Sequence, residues 1–593
     1  MMNNSRRLTQ ILLILTLPAI LMALGPSAAV AAPSVGIYTD RDHYSPGNWI
    51  TVSLSGQNFD YGMSVDIYIG LLTPGGGTYT LVYTGWSQYL EPWIRDIYIP
   101  NPFDMPRSPF MWYGVPCDIP PINAGGEYFF AAGLTYPDTF DFVSDISFAR
   151  FFYGAAEARG VFVNPETGSD GNEGSQLAPY KTITHALAAV NGTESEPVVI
   201  NAGPGIYSAS TNGETFPLYM ESWVSLKGHG QQMSVLDAEF NAPHVIYFDN
   251  MHHCTLEGFT ITGGSALQAG TIDGRGGGIY AHGTTPEIVG NEIIDNGADE
   301  GAGIYCDQSE ANITDNVISD NVATKGGGIF CYAGSQTIAD NAISLNYADD
   351  GGGIFFDGES AASVEGNQII SNFSGGKGGG IACVNASYPS IIGNLISENE
   401  AELGGGVSCH DGGTPGLENN WLAGNEAYMG GAIYCEGSEP RILNDLLINN
   451  NATEHGGGVF CTGSGAIAVV NCTIARNASD DEGDGVASVS GCSLTVENCI
   501  LWENDGDQAW ADGASITASH CDVEGGYSGD GNLDFDPLFV IGPLGAYYLG
   551  PLSWCIDAGS RSAADAGLDG CTTQANGSLD AGAVDLGYHY PLP

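Results

Sequence analysis

Aromatic rings, carboxylates and imidazoles recur at two fixed positions in the second half of the sequence. The first position follows a glycine run and one Ile or Val, and it holds Tyr280, Tyr305, Phe330, Phe355, Ala382, Ser408, Tyr434 and Phe460. The second lies two residues further on and holds His282, Asp307, Tyr332, Asp357, Val384, His410, Glu436 and Thr462. A polysaccharide groove uses such side chains, because rings pack on the apolar faces of sugars and polar groups hold hydroxyls.

Two interpretations of these positions stay open. In the first, the rings bind a glycan; in the second, they pack under loops, an N-terminal domain or a second subunit, since a large apolar patch usually marks an interface. The residues that would bind a glycan are Tyr280, Tyr305, Phe330, Tyr332, Phe355, Tyr434 and Phe460.

The glycine run repeats, and its period indicates the fold. Gly-Gly-Gly-Ile, or a close variant, occurs nine times from Gly276 onward at intervals of 25 to 27 residues. Periods of about 20–50 residues indicate a solenoid or a propeller. Each copy holds short β segments without helical periodicity and is shorter than a propeller blade of about 40–50 residues. The sequence therefore predicts an all-β protein whose unit is one rung of a right-handed parallel β-helix.

Equivalent positions of stacked rungs, ~4.8 Å apart, should form columns. One inward column holds Ile279, Ile304, Ile329, Ile354, Ile381, Val407, Ile433 and Val459, and a second holds Ala281, Cys306, Cys331, Phe356, Cys383, Cys409, Cys435 and Cys461. A ladder of amides at a turn holds Asn291, Asn316, Asn341, Asn367, Asn394 and Asn420. The residues before the first five glycine runs alternate in charge, which predicts ion-paired neighbours. They are Arg275, Glu300, Lys325, Asp350 and Lys377.

The candidates for catalysis are Asp307 and Asp357. Two rungs separate them by ~9–10 Å, near the upper end of the roughly 6.5–9.5 Å that separates the carboxyl groups of inverting glycosidases. A periodic sequence produces such pairs readily. Most basic residues of the repeats belong to the charge ladder, so the sequence leaves open whether the protein is an enzyme.

Calcium is the cofactor that the sequence offers. An acidic loop provides hard oxygen ligands through Asp480, Asp481, Glu482 and Asp484, although the twelve-residue spacing of an EF-hand is absent. A solvated acidic loop is the favoured alternative.

Fourteen cysteines raise the question of disulfides. For the inward column, small apolar thiols are favoured over ladder disulfides, because parallel Cβ vectors fit a disulfide poorly. Zinc is disfavoured, because a column offers no tetrahedral cluster. Cys555 and Cys571 form the candidate bridge.

Charge and the N-terminus restrict function and location. Among 593 residues, 15 Lys and Arg face 69 Asp and Glu, and the net charge of −54 excludes nucleic acid as a partner. Arg6 and Arg7, an apolar run from Ile11 to Leu24, and Ala29-Val30-Ala31 predict a signal peptide over residues 1–31. The run is too short to span ~30 Å of bilayer. We expect an exported chain, extracellular or at the cell surface, without a transmembrane segment once mature.

Residues 33–158 differ in composition from the repeats. Alternating runs such as residues 49–54 and 65–69, separated by Pro-Gly pairs, predict a small β-sandwich. This segment resembles the immunoglobulin-like modules of exported bacterial proteins.

Residues 160–230 and 529–587 carry further resemblances. Val161-Phe162-Val163-Asn164, Pro179-Tyr180-Lys181-Thr182-Ile183 and Pro204-Gly205-Ile206-Tyr207 resemble a bacterial family of unknown function that opens right-handed β-helix proteins. Asp536-Pro537-Leu538-Phe539 and Cys555-Ile556-Asp557-Ala558-Gly559 resemble the C-terminal portion of bacterial surface β-helix proteins. These resemblances imply the pectin-lyase-like superfamily. They also imply a cap with first rungs over residues 160–240, repeats over 241–510, and last rungs with a cap over 511–593.

The function predicted from these observations is binding of a polysaccharide or cell-surface glycan, or an adhesin or structural role. The alternative is a polysaccharide lyase or glycoside hydrolase, as the resemblance to the pectin-lyase-like superfamily implies.

Overall fold

The computed structural model describes residues 158–267 and 274–592, together with the backbone of ten strands between residues 34 and 153. The chain divides into two compact units, residues 1–157 and 158–593. The predicted signal peptide, residues 1–31, lies outside the described residues. Within the described part, no helix has the length and apolar character needed to cross a bilayer.

The first unit contains two sheets with mostly antiparallel pairing. One sheet consists of Ser34–Thr39, Trp49–Gln57 and Asp104–Gly114. The other consists of His43–Tyr44, Met63–Leu72, Thr78–Val82, Gly85–Ser87, Ile94–Ile99, Gly126–Thr135 and Ser147–Tyr153. The predicted immunoglobulin-like sandwich stays a prediction.

The second unit is a parallel β-helix of about 12 turns, which confirms the predicted fold. Sheet I consists of Arg159–Val163, Val198–Ala202, Val224–Lys227, His252–Glu257, Thr285–Val289, Asn312–Thr314, Thr337–Ala339, Ser363–Glu365, Ser390–Ile392, Gly416–Glu418, Arg441–Leu443, Ala466–Val470, Ser493–Glu497 and Ser515–Ser519. Sheet III consists of Leu218–Tyr219, Ile246–Asp249, Ile279–His282, Ile304–Asp307, Ile329–Tyr332, Ile354–Asp357, Ile381–Cys383, Val407–His410, Ile433–Glu436, Val459–Thr462, Val486–Val489 and Ala509–Asp512.

Sheet II is the largest, because most rungs contribute two strands to it. It consists of Gly205–Tyr207, Ser234–Ala242, Thr260–Ala266, Glu292–Ile294, Gly297–Glu300, Val317–Ser319, Val322–Lys325, Ala342–Ser344, Tyr347–Asp350, Gln368–Ile370, Phe373–Ser374, Leu395–Ser397, Glu400–Leu403, Trp421–Ala423, Glu426–Met429, Leu446–Ile448, Asn451–Ala452, Thr473–Ala475, Ala478–Ser479, Ile500–Trp502 and Asp522–Val523.

Each rung visits the sheets in one order. Ile304–Asp307 lies in sheet III, Asn312–Thr314 in sheet I, and Val317–Ser319 and Val322–Lys325 in sheet II. Residues 326–328, a glycine run, return the chain to sheet III. Successive side chains of a strand point to opposite faces. The predicted Ile and Cys columns are accordingly inward-facing and buried.

Stacked asparagines occupy two corners of every regular rung. Asn316 donates through Nδ2 to Oδ1 of Asn341 at 3.1 Å and to the carbonyl of Ile288 at 2.8 Å. Its backbone N–H donates to the same Oδ1 at 2.9 Å. The ladder predicted from Asn291 to Asn420 is therefore confirmed. A second ladder holds Asn296, Asn321, Asn346, Asn372, Asn399, Asn425, Asn450, Asn477 and Asn504.

The first ladder continues beyond Asn420 onto a carboxyl group. Oδ1 of Asp445 accepts from Nδ2 and from the backbone N–H of Asn420, at 3.0 and 2.6 Å. Oδ2 is buried and has no hydrogen-bond partner among the described residues. Burial raises the pKa of Asp445 to about 8, so the carboxyl group is protonated at neutral pH. The thiols of Cys472, Cys499 and Cys521 occupy the next positions.

Every cysteine of the described residues is free. The thiol interpretation of the inward column is confirmed, and burial raises the pKa of Cys331 and Cys383. The predicted bridge between Cys555 and Cys571 is wrong. Cys555 instead donates through Sγ to Oδ2 of Asp522 at 3.0 Å, because the cap folds its buried thiol against a strand end of sheet II.

Helix α1, Ile183–Ala189, covers the first rungs. Thr182 caps it by accepting from the backbone N–H of His185, and the carboxylate of Glu214 accepts from the N–H groups of Ile183 and Thr184 at 2.7 and 2.8 Å. These bonds satisfy N–H groups that a helix start leaves unpaired. Ile183, Ala186, Leu187 and Val190 are buried against the first rungs.

The C-terminal segment turns back along the outer face of sheet II. Its elements are Phe539–Gly542, Gly545–Leu549, helix α2 at Ala563–Ala566, Cys571–Thr572 and Tyr590–Pro591. The N–H of Tyr588 donates to Oγ1 of Thr473 at 2.9 Å, and that of His589 donates to Oδ1 of Asn444 at 2.7 Å. Leu446 is fully buried beneath this segment, which explains an apolar residue on an outward position.

Asp445→Asn is expected to stabilise the protein near pH 8. An amide cannot ionise and, by the register of the ladder, would donate to the carbonyl of Leu417. Asp445 titrates near 8 in the folded protein but near ~3.9 when unfolded. The folded wild type therefore loses stability as the pH rises from about 4 to about 8. Urea unfolding at about pH 5 and about pH 8 should show that the free energy of unfolding changes between these pH values by a few kcal/mol less in the variant than in the wild type.

Asn394→Asp is the matched control, because it places a second carboxyl group in the same ladder. It should be less stable than the wild type and steepen the pH dependence. Identical pH dependence of the wild type and Asp445→Asn would contradict the prediction.

Candidate functional site

The predicted aromatic strip lies on the outer face of sheet III, but its rings are buried. Tyr280, Tyr305, Phe330, Phe355, Tyr434 and Phe460 are between 1% and 4% exposed. Parallel rings stack along the axis, with centroids 5.6 Å apart for Tyr280 and Tyr305 and 5.2 Å apart for Phe330 and Phe355. These six residues therefore do not form an exposed platform for sugars. They form a second apolar core on the outer face of the sheet. Tyr332 alone of the seven candidates is exposed.

The glycine run and the residue before it cover the rings. Gly326 has a φ of +64°, and a Cβ placed on it would lie 2.8 Å from Cβ of Phe330. Only glycine lets the backbone turn this closely over the ring. The guanidinium of Arg275 lies 5.2 Å from the ring centroid of Tyr305, and Nζ of Lys325 lies 5.5 Å from that of Phe355.

These cations belong to the predicted charge ladder. Nε of Arg275 lies 3.0 Å from Oε2 of Glu300, and strand register places Glu300 beside Lys325 and Lys325 beside Asp350. Register therefore confirms the alternation of charge, although Arg275–Glu300 is the one ion pair of the ladder among the described residues. Arg275 and Lys325 also shield the aromatic stack. The packing interpretation of the strip accounts for its residue types.

The stack is interrupted at Ala382 and Ser408, and an imidazole fills the gap. The ring centroid of His410 lies 5.1 Å from that of Tyr434, and Nδ1 lies 3.3 Å from Oε2 of Glu436. Burial lowers the pKa of His410, so its imidazole stays neutral more readily than a free one. Neither Nε2 of His410 nor Oγ of Ser408 has a hydrogen-bond partner among the described residues.

Beside the buried rings runs a column of partly exposed polar groups, which we call the polar edge. It consists of Asp249, His282, Asp307, Tyr332 and Asp357, adjacent in strand register at the ends of five successive strands of sheet III. Nδ1 of His282 lies 2.8 Å from Oδ1 of Asp249, and the pair is exposed to solvent. The polar edge is the candidate functional site.

Strand register determines how the two candidate catalytic carboxylates relate. Tyr332 lies between Asp307 and Asp357, and its ring rests on Gly358, where a Cβ would be 2.7 Å from the ring. Asp357 accepts from Nδ2 of Asn385 at 2.7 Å. Oδ1 of Asp307 is buried without a hydrogen-bond partner among the described residues. The tyrosine therefore separates the carboxylates, which do not form one paired acid and base.

The acidic loop predicted as a calcium ligand does not converge. Asp484 accepts from the backbone N–H of Ser479 at 2.8 Å and of Asp507 at 2.9 Å. Asp480, Asp481 and Glu482 are exposed. The carboxylate of Asp484 thus closes the turn, as carboxylates do when they accept backbone bonds.

One group of three carboxylates does converge within the described residues. Ligand oxygens of Asp557, Asp580 and Asp585 lie within 4.8 Å of one another in the C-terminal segment. Asp585 accepts from the N–H of Asp557 at 2.7 Å, and Oδ2 of Asp580 lies 2.8 Å from Nε2 of His589. Burial raises the pKa of Asp585. These bonds stabilise the C-terminal segment. The sequence did not predict the group, because Asp557 lies far along the chain from Asp580 and Asp585.

Comparisons with known proteins give one family match and several remote structural likenesses. The profile of a family described as "Protein of unknown function (DUF1565)" matches residues 166–431. No curated protein matches the chain.

Similar solved structures include two modules from Azotobacter vinelandii and one enzyme from Eubacterium ramulus. The A-module of mannuronan C-5 epimerase AlgE6 is 16% identical, with a TM-score of 0.34 over 56% of this chain and 92% of that one. The AlgE4 A-module is 15% identical, with a TM-score of 0.31 over 61% and 100%. The GH136 lacto-N-biosidase is 11% identical, with a TM-score of 0.26 over 60% and 68%. At these scores the likeness bears no inference about activity.

Gly326→Ala tests whether glycine is required over the rings. Gly393 is the matched control, since it has the same φ of +64° but no atom within 4 Å of an added Cβ. Both substitutions should lower the free energy of unfolding by roughly 1–2 kcal/mol, because alanine is strained in the left-handed backbone conformation. Gly326→Ala should lose roughly 1–3 kcal/mol more through overpacking against Phe330. Equal losses in the free energy of unfolding, measured in urea, would contradict the covered stack.

Proposed function

We propose that this protein binds polysaccharide along the polar edge, outside the cell. The observation that carries the proposal is the run of five partly exposed carboxylate, imidazole and phenol groups on successive rungs. Export, predicted from residues 1–31, would bring the edge into contact with extracellular glycans.

The spacing of the edge suits a linear glycan that lies along the axis of the β-helix. Rungs repeat every ~4.8 Å, which is close to the length of one pyranose unit along an extended chain. Consecutive sugars can therefore meet equivalent positions of consecutive rungs. The side chains stand at strand ends of a rigid sheet, so little conformational entropy is lost when a ligand binds.

The groups of the edge match the hydroxyls of a sugar. The carboxylates of Asp307 and Asp357 accept hydrogen bonds, and those to charged groups contribute roughly 1.5–3 kcal/mol each. Asp307 is partly exposed, so its carboxylate can accept a hydrogen bond from a ligand hydroxyl. The ring of Tyr332, exposed between the two carboxylates, offers an apolar surface for a sugar face.

A second candidate function is glycoside hydrolysis or elimination at Asp307. The partly exposed carboxyl group of Asp307 favours it, because a general acid or base must reach the substrate and Oδ1 of this group makes no competing hydrogen bond among the described residues. Binding remains the main proposal, since Tyr332 separates Asp307 from Asp357.

The test measures retention on a panel of neutral and acidic polysaccharides by affinity electrophoresis. The variant Asp307→Asn with Asp357→Asn, and separately Tyr332→Ala, should each weaken binding about tenfold or more. Asp315→Asn is the matched control, because Asp315 is exposed at another corner of the rungs. It should bind as the wild type does.

The protein is also incubated with each polysaccharide, and the mixtures are assayed for new reducing ends and unsaturated products. Retention without turnover supports binding, and turnover that disappears in Asp307→Asn supports the second function. If the polar-edge variants bind each polysaccharide that retards the wild type, and bind it as tightly as the wild type does, the polar edge is not the site.

A further inference from the structure

A cleft of about 710 Å³ lies over the outer face of the first strands of sheet I, and we call it the amide cleft. Its volume falls within the roughly 300–1,000 Å³ that is usual for ligand sites. Phe162, Asn201 and Lys227 form its floor, because strand register places these three outward-facing residues side by side. No residue of the polar edge lines this cleft.

An ordered loop forms one wall of the amide cleft. Nδ2 of Asn172 donates to the carbonyl of Pro179 at 2.8 Å, and the N–H of Gly174 donates to the carbonyl of Ala178 at 3.0 Å. Gln176, which lies between these bonds, is exposed at the rim of the cleft. The wall is therefore built before a ligand arrives, which limits the entropy lost on binding.

The backbone beneath the amide cleft is hydrogen-bonded on both sides. The strand Arg159–Val163 pairs with Val198–Ala202 on one side. On its other side, the N–H of Phe162 donates to the carbonyl of Gly174, and the N–H of Tyr180 donates to the carbonyl of Phe162, both at 2.9 Å. A peptide cannot add to this edge as a further strand, since no backbone group of Phe162 is left to pair with it. Side chains must recognise the ligand.

Three amide side chains of the cleft have polar atoms that make no hydrogen bond among the described residues. Nδ2 of Asn201 donates to the carbonyls of Val161 and Val199 at 3.4 and 3.2 Å, but its Oδ1 accepts none. Oδ1 of Asn164 accepts from two backbone N–H groups at 3.0 and 2.8 Å, but its Nδ2 donates to none. The amide of Gln176 is unpaired at both atoms. These groups offer both donors and acceptors, which suits hydroxyl groups, since a hydroxyl also does both.

The charges of the lining favour an uncharged ligand. Lys227 and His229 are the ionisable residues that line the cleft, and no carboxylate of the described residues does so. Nζ of Lys227 lies 2.8 and 2.9 Å from the two carboxylate oxygens of Glu257, which compensates its charge. A polyanion would thus meet a neutralised lysine on a chain of net charge −54. A cationic ligand would find no carboxylate in the lining to pair with.

Phe162 gives the floor of the cleft an apolar surface. Its ring is partly exposed and stacks on no other ring of the described residues, since the neighbouring Tyr180 packs against His185 with centroids 4.8 Å apart. Gly160 has no side chain to cover the ring, and a Cβ there would lie 3.4 Å from Cε2 of Phe162. One unstacked ring among several amides is the combination that binds a sugar, whose apolar face packs on the ring while its hydroxyls bond to the amides.

We propose that the amide cleft binds a short stretch of an uncharged oligosaccharide. The sugar would pack on Phe162, and its hydroxyls would bond to Asn164, Gln176 and Asn201. This inference goes beyond the proposed function, because it places a ligand on sheet I and selects it by amides, whereas the polar edge lies on sheet III and presents carboxylates.

Isothermal titration calorimetry of the full chain tests the cleft with cellotetraose and maltotetraose as neutral probes and trigalacturonate as the acidic probe. The variants are Phe162→Ala and, separately, Gln176→Ala with Asn201→Ala. Phe240→Ala and Gln231→Ala are the matched controls, because they remove an exposed ring and an exposed amide outside the cleft. A neutral tetraose should bind the wild type and both controls equally, and each cleft variant should weaken its binding about tenfold or more. Circular dichroism melting checks that every variant folds like the wild type.

The polar-edge variant, Asp307→Asn with Asp357→Asn, separates this inference from the proposed function. If it keeps the affinity for the tetraose while the cleft variants lose it, the cleft is supported whatever becomes of the polar edge. If it loses that affinity while the cleft variants keep it, the tetraose binds at the polar edge and the cleft is wrong. Tighter binding of trigalacturonate, abolished in the cleft variants, would overturn the uncharged ligand class. The absence of binding by either neutral tetraose would overturn the inference as a whole.

Discussion

The β-helix depends on a backbone that turns through a left-handed conformation directly over a side chain. Each regular rung makes this turn with glycine, as at Gly326 over Phe330, where a Cβ would leave only 2.8 Å to the neighbouring Cβ. The turn joins sheet II to sheet III and brings the residue before it, such as Arg275, over the ring of the next rung. One conformational requirement thus positions the glycines, the aromatic rings and the charge ladder.

This requirement explains how far the sequence could predict the structure. Period, strand order, inward columns and the Asn291–Asn420 ladder follow from residue type and spacing, because equivalent positions of stacked rungs must be neighbours. The burial of Tyr305 does not follow from alternation. An outward position is exposed only if nothing crosses it, and here the glycine turn and Arg275 cross it. The pairing of charges was predictable, whereas their use as a cover for rings was not.

The candidate site was likewise predictable from the sequence only in part. The positions of Asp307, Tyr332 and Asp357 on one edge follow from the repeat, and register confirms their order. Their individual environments differ, since Asp357 is bound by Asn385 while Asp307 keeps a buried unpartnered oxygen. Contacts between distant segments, such as Asp557 with Asp585 or Cys555 with Asp522, depend on how the C-terminal segment folds back. No spacing rule encodes such contacts, and the bridge expected between Cys555 and Cys571 failed for that reason.

The structure explains where the excess negative charge of the chain is exposed. Basic residues of the repeats are used within the protein, as Arg275 is by Glu300 and Arg476 is by Glu503 at 2.7 Å. The carboxylates of the polar edge are partly exposed, and among the described residues only Asp249 of these has an ionic partner, the imidazole of His282. Such surfaces repel polyanions and accept hydrogen bonds from neutral or cationic donors. Because every regular rung repeats the same backbone, a single outward position can change without disturbing the Asn ladders that hold the rungs together.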